Sequence, residues 1–372
     1  MIKKITDIKN LRGARVLLRL DLNVPIRDGK IQDDYRIKCS MKTLEYLRDA
    51  GARTVILSHI DEKEGGSLEP LFRHLSPLLD IFFSSFKSAP LTAGALKDGS
   101  FLLLENLRDN PGEVANDPSF ASDLGLLGDM YINEAFSVSH RAHASIVGLP
   151  NLLPSFAGFQ FASEVAELSK SFNPERPFLF ILGGAKFETK MPLIKKFLTL
   201  ADSVFVGGAL SNDIFKTQGL EVGDSVVSNP IPDLREVMAS KKLLTPIDVV
   251  SVSGEKSRVT KVNDVKVGEK ILDAGEETIS MLASEISKAK FVLWNGPLGD
   301  YEKGFSKATE NLARLVADSS ERSIIGGGDT LAVVSKLSLL EKFSFVSTGG
   351  GAMLEFLANE TLPGIIALEG SL

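Results

Sequence analysis

The sequence predicts an α/β fold built from two doubly wound parallel-sheet domains that are joined by a helix hinge. Short, β-rich apolar runs alternate with longer stretches of helical spacing from end to end, which is typical of βαβ units. A chain of 372 residues is too long for one ordinary core and suits two domains of roughly 150 to 200 residues each. Between the halves, Phe161, Val165, Leu168 and Phe172 recur at helical spacing before a proline-containing break, which indicates a connecting helix.

The domain boundaries follow from where this connecting helix lies. We expect residues 1–158 to form an N-terminal domain, residues 159–176 the connecting helix and hinge, and residues 177–360 a C-terminal domain. Residues 361–372 form a C-terminal tail that we expect to return to the N-terminal domain. Both domains are expected to be Rossmann-like, with helices covering both faces of the sheet.

The composition excludes several classes of protein. With 44% hydrophobic and 24% charged residues, the chain has none of the bias of disordered, coiled-coil or collagen sequences. The N-terminus lacks the apolar core of a signal peptide and no stretch approaches a membrane-spanning length, so we expect a cytoplasmic protein without a membrane partner. The lone Cys39 permits neither an intrachain disulfide nor a cysteine-based zinc site. A net charge of -6 argues against nucleic acid as a partner.

In the first half, polar and cationic side chains follow the apolar runs that we predict to be strands. The segments that follow are Arg19-Leu20-Asp21-Leu22-Asn23, Ser58-His59, Asn106-Leu107-Arg108 and His140-Arg141. Ligands of open α/β sheets bind at the carboxyl ends of the strands. The first half is therefore predicted to bind a small anion.

In the second half, glycines follow the predicted strands instead. The segments are Gly183-Gly184, Gly207-Gly208, Asn295-Gly296-Pro297, Gly326-Gly327-Gly328-Asp329-Thr330 and Gly349-Gly350-Gly351. Glycine lets backbone N–H groups approach phosphate oxygens, and a following helix N-terminus adds partial positive charge. One such turn alone indicates little, but the repeated pattern predicts a nucleotide site, although neither GxxxxGK[ST] nor GxGxxG is present.

Several candidate residues have a structural interpretation beside the functional one. Lys186 and Lys190 are four residues apart, so they would lie on one face near a helix N-terminus and suit phosphate, or they form a solvated face. Asp329 holds Mg²⁺ or caps a helix. His140-Arg141-Ala142-His143 suits an anion or a structural role better than a metal, because Arg141 would repel a cation. His59 directly follows a strand and is the better histidine candidate.

Taken together and in order, these segments resemble the phosphoglycerate kinase family over essentially the whole chain. The motifs that carry the resemblance are RLDLNVP at 19–25, LENLR at 104–108, NEAFSVSHRAH at 133–143, LGGAKFETK at 182–190, WNGP at 294–297, IGGGDT at 325–330 and STGGGA at 347–352. The resemblance implies reversible phosphoryl transfer between ATP and the carboxylate of 3-phosphoglycerate, with ADP and 1,3-bisphosphoglycerate on the other side. It also implies Mg²⁺ as cofactor and a monomeric enzyme whose domains move about a hinge.

The resemblance further implies roles for individual residues. The 3-phosphoglycerate site would comprise Arg19, Asp21, Asn23, Arg36, His59, Glu62, Arg108 and Arg141. The nucleotide site would comprise Gly183, Gly184, Lys186, Lys190, Gly207, Gly208, Ile271, Leu272, Asn295, Pro297, Glu302, Gly326, Gly327, Gly328, Asp329 and Thr330. The catalytic groups would be Arg36, Lys190, Gly328 and Gly351, and Asp329 would bind the metal.

Some positions depart from the family pattern. Where the family commonly has His-Leu-Gly-Arg, this chain has His59-Ile60-Asp61-Glu62, which places an acid where an Arg would bind phosphate. We expect Lys63 to replace that Arg as a point charge. Thr189 replaces a usual Asp, Ser137-Val138-Ser139 replaces Gly-Thr-Ala, and Asp300 stands where an apolar residue often lines the nucleoside pocket.

Three other functions remain to be weighed against the kinase. The departures at Glu62 and Thr189 would suit a family member that binds nucleotide without turnover, but Arg36, Lys190 and Asp329 are all present. Nucleic-acid binding has no support from the acidic balance. An oxidoreductase of similar fold would need the dinucleotide motif that the sequence lacks.

Overall fold

The structure is a computed structural model that describes residues 2–61, 66–319 and 321–371. The chain divides into two compact units, Met1–Ala166 with Asn359–Leu372, and Glu167–Ala358. The helix Phe159–Ser169 contains the division between Ala166 and Glu167. Within the described ranges, no helix is both long enough and apolar enough to cross a bilayer.

The first unit is organised around a parallel sheet. Its strands are β1 Arg15–Arg19, β2 Ile26–Arg27, β3 Lys30–Ile31, β4 Arg53–Leu57, β5 Ile81–Ser84, β6 Phe101–Leu104, β7 Met130–Asn133 and β8 Ser155–Ala157. The sheet has the order β5-β6-β4-β1-β7-β8, whereas β2 and β3 form a separate antiparallel hairpin. Nearly every residue of β1, β4 and β6 is buried, because helices cover both faces. These helices are α1 Tyr35–Asp49, α2 Glu69–Leu75, α3 Ala89–Gly94, α4 Pro111–Val114, α5 Pro118–Gly125 and α6 Phe159–Ser169.

The second unit has its own parallel sheet and a small antiparallel one. Its strands are β9 Phe178–Leu182, β10 Ser203–Val206, β11 Leu243–Leu244, β12 Asp248–Ser253, β13 Lys256–Lys261, β14 Lys270–Ala274, β15 Phe291–Asn295, β16 Arg322–Gly326 and β17 Phe345–Ser347. The parallel sheet has the order β11-β10-β9-β15-β16-β17, and β12 pairs with β13 and β14. The helices are α7 Phe187–Leu200, α8 Ala209–Thr217, α9 Arg235–Met238, α10 Glu276–Lys288, α11 Lys307–Asp318, α12 Gly328–Lys336 and α13 Gly351–Asn359. The predicted fold class, two parallel-sheet α/β domains, is confirmed.

The register of the parallel strands brings the candidate residues to common edges. Arg19, the last residue of β1, pairs with Leu57 of β4 on one side and Asn133 of β7 on the other. The segments that follow β1, β4 and β7 therefore begin at the same edge of the first sheet. In the second sheet, Asn295 pairs with Leu182 and with Gly326, so the glycine turns after β9, β15 and β16 also meet.

The C-terminal helix, α14 Pro363–Glu369, packs within the first unit. The N–H of Gly364 donates to the carbonyl of Ser139 at 2.8 Å, and a Cβ on Gly364 would lie 2.8 Å from that of Ser139. Helix α6 is held at its start by a buried carboxylate, Glu134. Its oxygens accept hydrogen bonds from the Thr43 hydroxyl and from the N–H groups of Gln160 and Phe161.

Candidate active site

Arg19 is a fully buried cation at the carboxyl edge of the first sheet. Its Nε donates to Ser145 Oγ at 2.9 Å, its Nη1 donates to the carbonyl of Leu20 at 2.6 Å, and its Nη2 contacts His59 Nδ1 at 3.1 Å. A guanidinium group cannot accept, so Nδ1 of His59 must be the acceptor. These hydrogen bonds hold Arg19 in one orientation at the carboxyl edge of the sheet, where it contacts His59.

His59 is a neutral imidazole. Burial lowers its pKa far below the usual range, and the positive charges of Arg19 and Arg108 lower it further. Since Nδ1 accepts from Arg19, the ring proton lies on Nε2, which is 4.0 Å from a carboxylate oxygen of Asp61. The structure thus places His59 next to the arginines that the sequence grouped with it, as a hydrogen-bond donor without charge.

Arg36 approaches the edge from α1. Its Nη1 lies 2.8 Å from Asp21 Oδ2 and 3.2 Å from the carbonyl oxygen of Asn23. The same Asp21 oxygen accepts a hydrogen bond from the Ser137 hydroxyl at 2.5 Å. About a third of the Arg36 side chain is exposed, so the guanidinium is oriented by its partners and still reachable by a ligand.

Arg108 and Asn23 are both engaged by Asp61. Arg108 forms an ion pair with the Asp61 carboxylate, to which Asn23 Nδ2 also donates at 3.2 Å. The N–H of Asp61 returns a hydrogen bond to Asn23 Oδ1 at 3.1 Å. Sequence reasoning noted the acids at 61 and 62 but did not foresee this pairing, which depends on the loop after β4 meeting the turn after β6. Glu62 and Lys63 lie outside the described residues.

Arg141 is exposed on the segment after β7, and its N–H donates to the carbonyl of Val138 at 2.9 Å. The same segment also contacts a buried carboxylate, Glu113, that the sequence did not single out. Glu113 accepts from the N–H and the hydroxyl of Ser145 at 2.9 and 2.6 Å, and His143 Nδ1 lies 3.8 Å away. Ser145 therefore links the Arg19 cation to the Glu113 anion.

In the second unit, the glycine turns are packed tightly against each other. The N–H groups of Gly183 and Gly184 donate to the carbonyls of Asn295 and Pro297 at 2.8 and 2.9 Å. A Cβ on Gly183 would come within 2.2 Å of the Pro297 oxygen. The glycine at 183 is thus required for the close approach of two backbones, and its N–H is already used by the protein.

Lys190 lies next to these turns, in the first turns of α7. Its Nζ donates to the Gly183 carbonyl at 2.9 Å. Burial lowers its pKa to about 8, against the opposing charge of Asp329. Lys186 differs from the prediction, because α7 begins only at Phe187; Lys186 precedes the helix with φ +64° and is exposed. The Thr189 hydroxyl donates to the Lys186 carbonyl at 2.9 Å.

A cavity of about 330 Å³ opens beside the turns. Its lining includes Gly184, Gly208, Ile271, Leu272, Pro297, Glu302 and Asp329, all of which the sequence assigned to the nucleotide. Asp300 also lines it, but its carboxylate pairs with the Lys303 ammonium at 2.6 Å. The charge that departs from the family pattern is therefore compensated by a neighbour.

The first turn of helix α12 borders this cavity through Asp329. Gly327 precedes it with φ +101°, a backbone conformation that favours glycine, and the first N–H groups of a helix have no acceptor within it. Asp329, the second residue of α12, is exposed and lines the cavity. The Thr330 hydroxyl is buried and accepts from the N–H of Gly296 at 3.1 Å, which joins two of the glycine turns.

Asp329 could bind Mg²⁺ only together with ligands that a substrate and water supply. Within residues 2–61, 66–319 and 321–371, no group of three or more His, Cys, Asp or Glu side chains could hold a metal ion. Mg²⁺ in phosphoryl-transfer enzymes commonly takes one or two protein carboxylates and completes its coordination with substrate phosphates and water. A single carboxylate at the mouth of a nucleotide-sized cavity fits that arrangement.

Comparison with known proteins agrees over nearly the whole chain. Residues 5–360 match the family model described as phosphoglycerate kinase. A protein named phosphoglycerate kinase from Moorella thermoacetica is 41% identical over 383 residues, which cover 96% of this chain and 97% of that protein. The structure of phosphoglycerate kinase from Coxiella burnetii is similar with a TM-score of 0.85 at 35% identity, over 99% of this chain and 98% of that one. The crystal structure of phosphoglycerate kinase from Pyrococcus horikoshii is similar with a TM-score of 0.90 at 29% identity, over the same shares.

Proposed function

The chain belongs to the phosphoglycerate kinase family and transfers phosphate between 1,3-bisphosphoglycerate and ADP, and on that premise we propose how its residues divide the work. The first unit binds 3-phosphoglycerate, and the second unit binds ADP or ATP. This division is supported by the different chemical groups at the carboxyl edges of the two sheets. One gathers Arg19, Arg36 and Arg108 around an open edge, whereas the other borders a 330 Å³ cavity with the N-terminus of α12.

In the first unit, the exposed part of Arg36 and the Arg108 guanidinium bind the anionic substrate. Arg19 is buried and holds His59 in place, so that the neutral ring can donate a hydrogen bond from Nε2. Asp21 and the Ser137 hydroxyl fix the approach of Arg36. Arg141 adds a positive charge at the surface, since its side chain is exposed.

In the second unit, Ile271, Leu272 and Pro297 contact the nucleoside, and Glu302 binds the ribose hydroxyls. Lys190, the turn at Gly326–Thr330 and Gly351 at the start of α13 bind the phosphates. Asp329 would hold Mg²⁺, which supplies charge neutralisation at the phosphate oxygens when it is bound. The cavity lining supports the assignments of Ile271, Leu272, Pro297, Glu302 and Asp329. Those of Lys190 and Gly351 rest on the family resemblance.

The reaction needs no general base. The carboxylate of 3-phosphoglycerate is ionised at neutral pH, so one of its oxygens forms the new bond to the γ-phosphorus as the bond to the ADP oxygen breaks. The protein contributes positioning and compensation of charge on the equatorial oxygens, for which Arg36 and Lys190 are the cations. Because the two substrates bind to different units, we propose that the units close during turnover and exclude water.

A coupled assay for ATP- and Mg²⁺-dependent phosphorylation of 3-phosphoglycerate tests this function. Turnover that requires all three components is expected. Nucleotide binding by calorimetry without turnover would instead support a family member that only binds. We further propose a cytoplasmic monomer, as the family resemblance suggests; light scattering that gives about twice the chain mass of 40.2 kDa would contradict the monomer.

A further inference from the structure

Asn212 is a polar residue in the nucleotide cavity that no motif singled out. It lies in the first turns of α8, which begins after Gly208. Its side chain is buried, with 1% of its surface exposed, and it lines the 330 Å³ cavity. A buried amide in a ligand cavity needs partners for both its donor and its acceptor.

Within the described part of the chain, the amide nitrogen of Asn212 has a partner and the amide oxygen has none. Asn212 Nδ2 donates to the carbonyl oxygen of Val226 at 3.0 Å, which fixes the orientation of the amide. Asn212 Oδ1 has no hydrogen-bond partner among the described residues, although it is buried. An unpartnered buried acceptor is costly, so its presence calls for an explanation such as a ligand that donates to it.

Three other polar side chains that line the cavity, those of Ser211, Ser225 and Asp273, already have hydrogen-bond partners within the protein. The Ser211 hydroxyl donates to the Gly208 carbonyl at 2.8 Å, and Ser225 Oγ accepts from the N–H of Ile271 at 2.8 Å. The carboxylate of Asp273 accepts from the N–H groups of Ala274 and Ala308, both at 3.0 Å. Among these buried side chains, the Asn212 carbonyl oxygen differs in having no hydrogen-bond partner among the described residues, so it is the acceptor that a ligand would satisfy.

The position of Asn212 suits the base of the nucleotide better than its phosphates. Gly208 packs against the glycine turn at 183–184, since a Cβ on it would lie 2.7 Å from the N of Gly184. Asn212 is four residues further along α8, which is about 6 Å along the helix axis. The cavity also has apolar walls at Val249 and Ile271, which suit a flat heteroaromatic ring.

We propose that Asn212 selects the base of the nucleotide, with Oδ1 accepting a hydrogen bond from the exocyclic amino group of adenine. Hypoxanthine carries a carbonyl oxygen where adenine carries this amino group, so the two acceptors would repel each other. Asn212 therefore favours ADP over IDP, while the ribose and phosphate contacts are common to both. This inference rests on the proposed nucleotide site of the second unit.

The test compares kcat/KM for ADP and IDP in the assay that consumes 1,3-bisphosphoglycerate. The wild-type protein is expected to favour ADP about tenfold, the factor that one buried hydrogen bond supplies. Asn212→Ala should lower kcat/KM for ADP and leave that for IDP within about twofold, so that the preference is lost. Ser211→Ala is the matched control, because Ser211 lines the same cavity with its hydroxyl already paired, and it should keep the wild-type preference.

The outcomes separate this inference from the proposed function. Absence of turnover with ADP in the wild type contradicts the function itself. Equal use of ADP and IDP by the wild type, or an equal loss for both in Asn212→Ala, overturns the role of Asn212 and leaves it as a support for Val226. Should Asn212→Ala fail to fold, Asn212→Leu replaces it, because leucine has a similar volume and no acceptor. The ratio of kcat/KM for ADP to that for IDP in the wild type needs no variant, and a ratio near one overturns the role of Asn212 by itself.

Discussion

The Asp61 carboxylate forms an ion pair with the guanidinium of Arg108, one of the cations that we propose for 3-phosphoglycerate. Asp61 is also tied to Asn23 through hydrogen bonds of 3.1 and 3.2 Å in both directions. In the proposed site, an acid of the protein would therefore compete with the anionic substrate for the same guanidinium. About half of the Asp61 side chain is exposed, so solvent screens its ion pair with Arg108 and the pair is a weak one.

Replacing this acid should strengthen substrate binding. Asp61→Asn removes the charge and keeps an oxygen for Asn23, so the KM for 3-phosphoglycerate should fall by up to about fivefold, the range of a partly exposed ion pair. The KM for ATP should not change. Asp98→Asn is the control, because Asp98 pairs with Arg53 at 2.9 Å, at the other end of β4. A rise in the KM of Asp61→Asn would show that Asp61 helps to hold the substrate.

Arg36 should matter for the rate more than for nucleotide binding. Arg36→Ala is expected to lower kcat by about 10³-fold or more, because its charge is needed most while the phosphoryl group transfers. The dissociation constant for ATP should stay near its wild-type value. Arg73→Ala serves as control, since Arg73 pairs with Glu69 at 2.7 Å on the exposed face of α2. A kcat for Arg36→Ala within tenfold of wild type would remove Arg36 from the chemistry, provided that circular dichroism shows a folded protein.

Nucleotide binding should weaken at alkaline pH through Lys190. Burial lowers the pKa of its ammonium to about 8, so the free protein loses this positive charge as the pH rises from 7 to 9. ADP binding must then restore the proton, and its dissociation constant should rise by up to about tenfold. In Lys190→Met, which is neutral throughout, calorimetry should find weak binding with little change over this range. A wild-type constant that is the same at both pH values would contradict the role of Lys190.

Stability should depend on pH through Glu134, the carboxylate at the start of α6. Burial raises its pKa from 4.5 to about 7, against the hydrogen bonds from Phe161, Thr43 and Gln160. Between those pH values the folded state keeps a proton that the unfolded state has released, so the stabilisation is complete below pH 4.5 and is lost as the pH rises through 7.

Urea unfolding at several pH values checks this expectation. Glu134→Gln cannot titrate, so the decline of its unfolding midpoint between pH 4.5 and 7 should be shallower than that of the wild type. Glu45→Gln, which changes an exposed residue of α1, should decline as the wild type does. Parallel curves for wild type and Glu134→Gln would mean that Glu134 keeps an ordinary pKa.

Much of the fold and of the candidate site could be predicted from local pattern. Apolar runs with polar or glycine residues directly after them predict four of the six strands of the first parallel sheet and five of the six of the second, because strands buried on two faces must be apolar throughout. The strands β5, β8 and β11, which lie in the outer part of these sheets, were not predicted. The same pattern placed Arg19, His59 and Arg108 at one edge. The short hairpin of β2 and β3 and the antiparallel sheet of β12, β13 and β14 were not predicted either, because polar residues interrupt every apolar run in them. In addition, β2 and β3 have no buried residue and β13 has only one.

By itself, the sequence determined which chemical groups the chain carries and the order in which they follow the strands, and the ordered motifs determined the family. Only the tertiary structure decided how those groups are used. It buried Arg19 beside Ser145, paired Asp61 with Arg108, neutralised Asp300 with Lys303 and left Asn212 Oδ1 without a donor among the described residues. The physical reason is that charge, burial and hydrogen bonding depend on distances between segments far apart in the chain, and side-chain spacing along one segment carries no information about them.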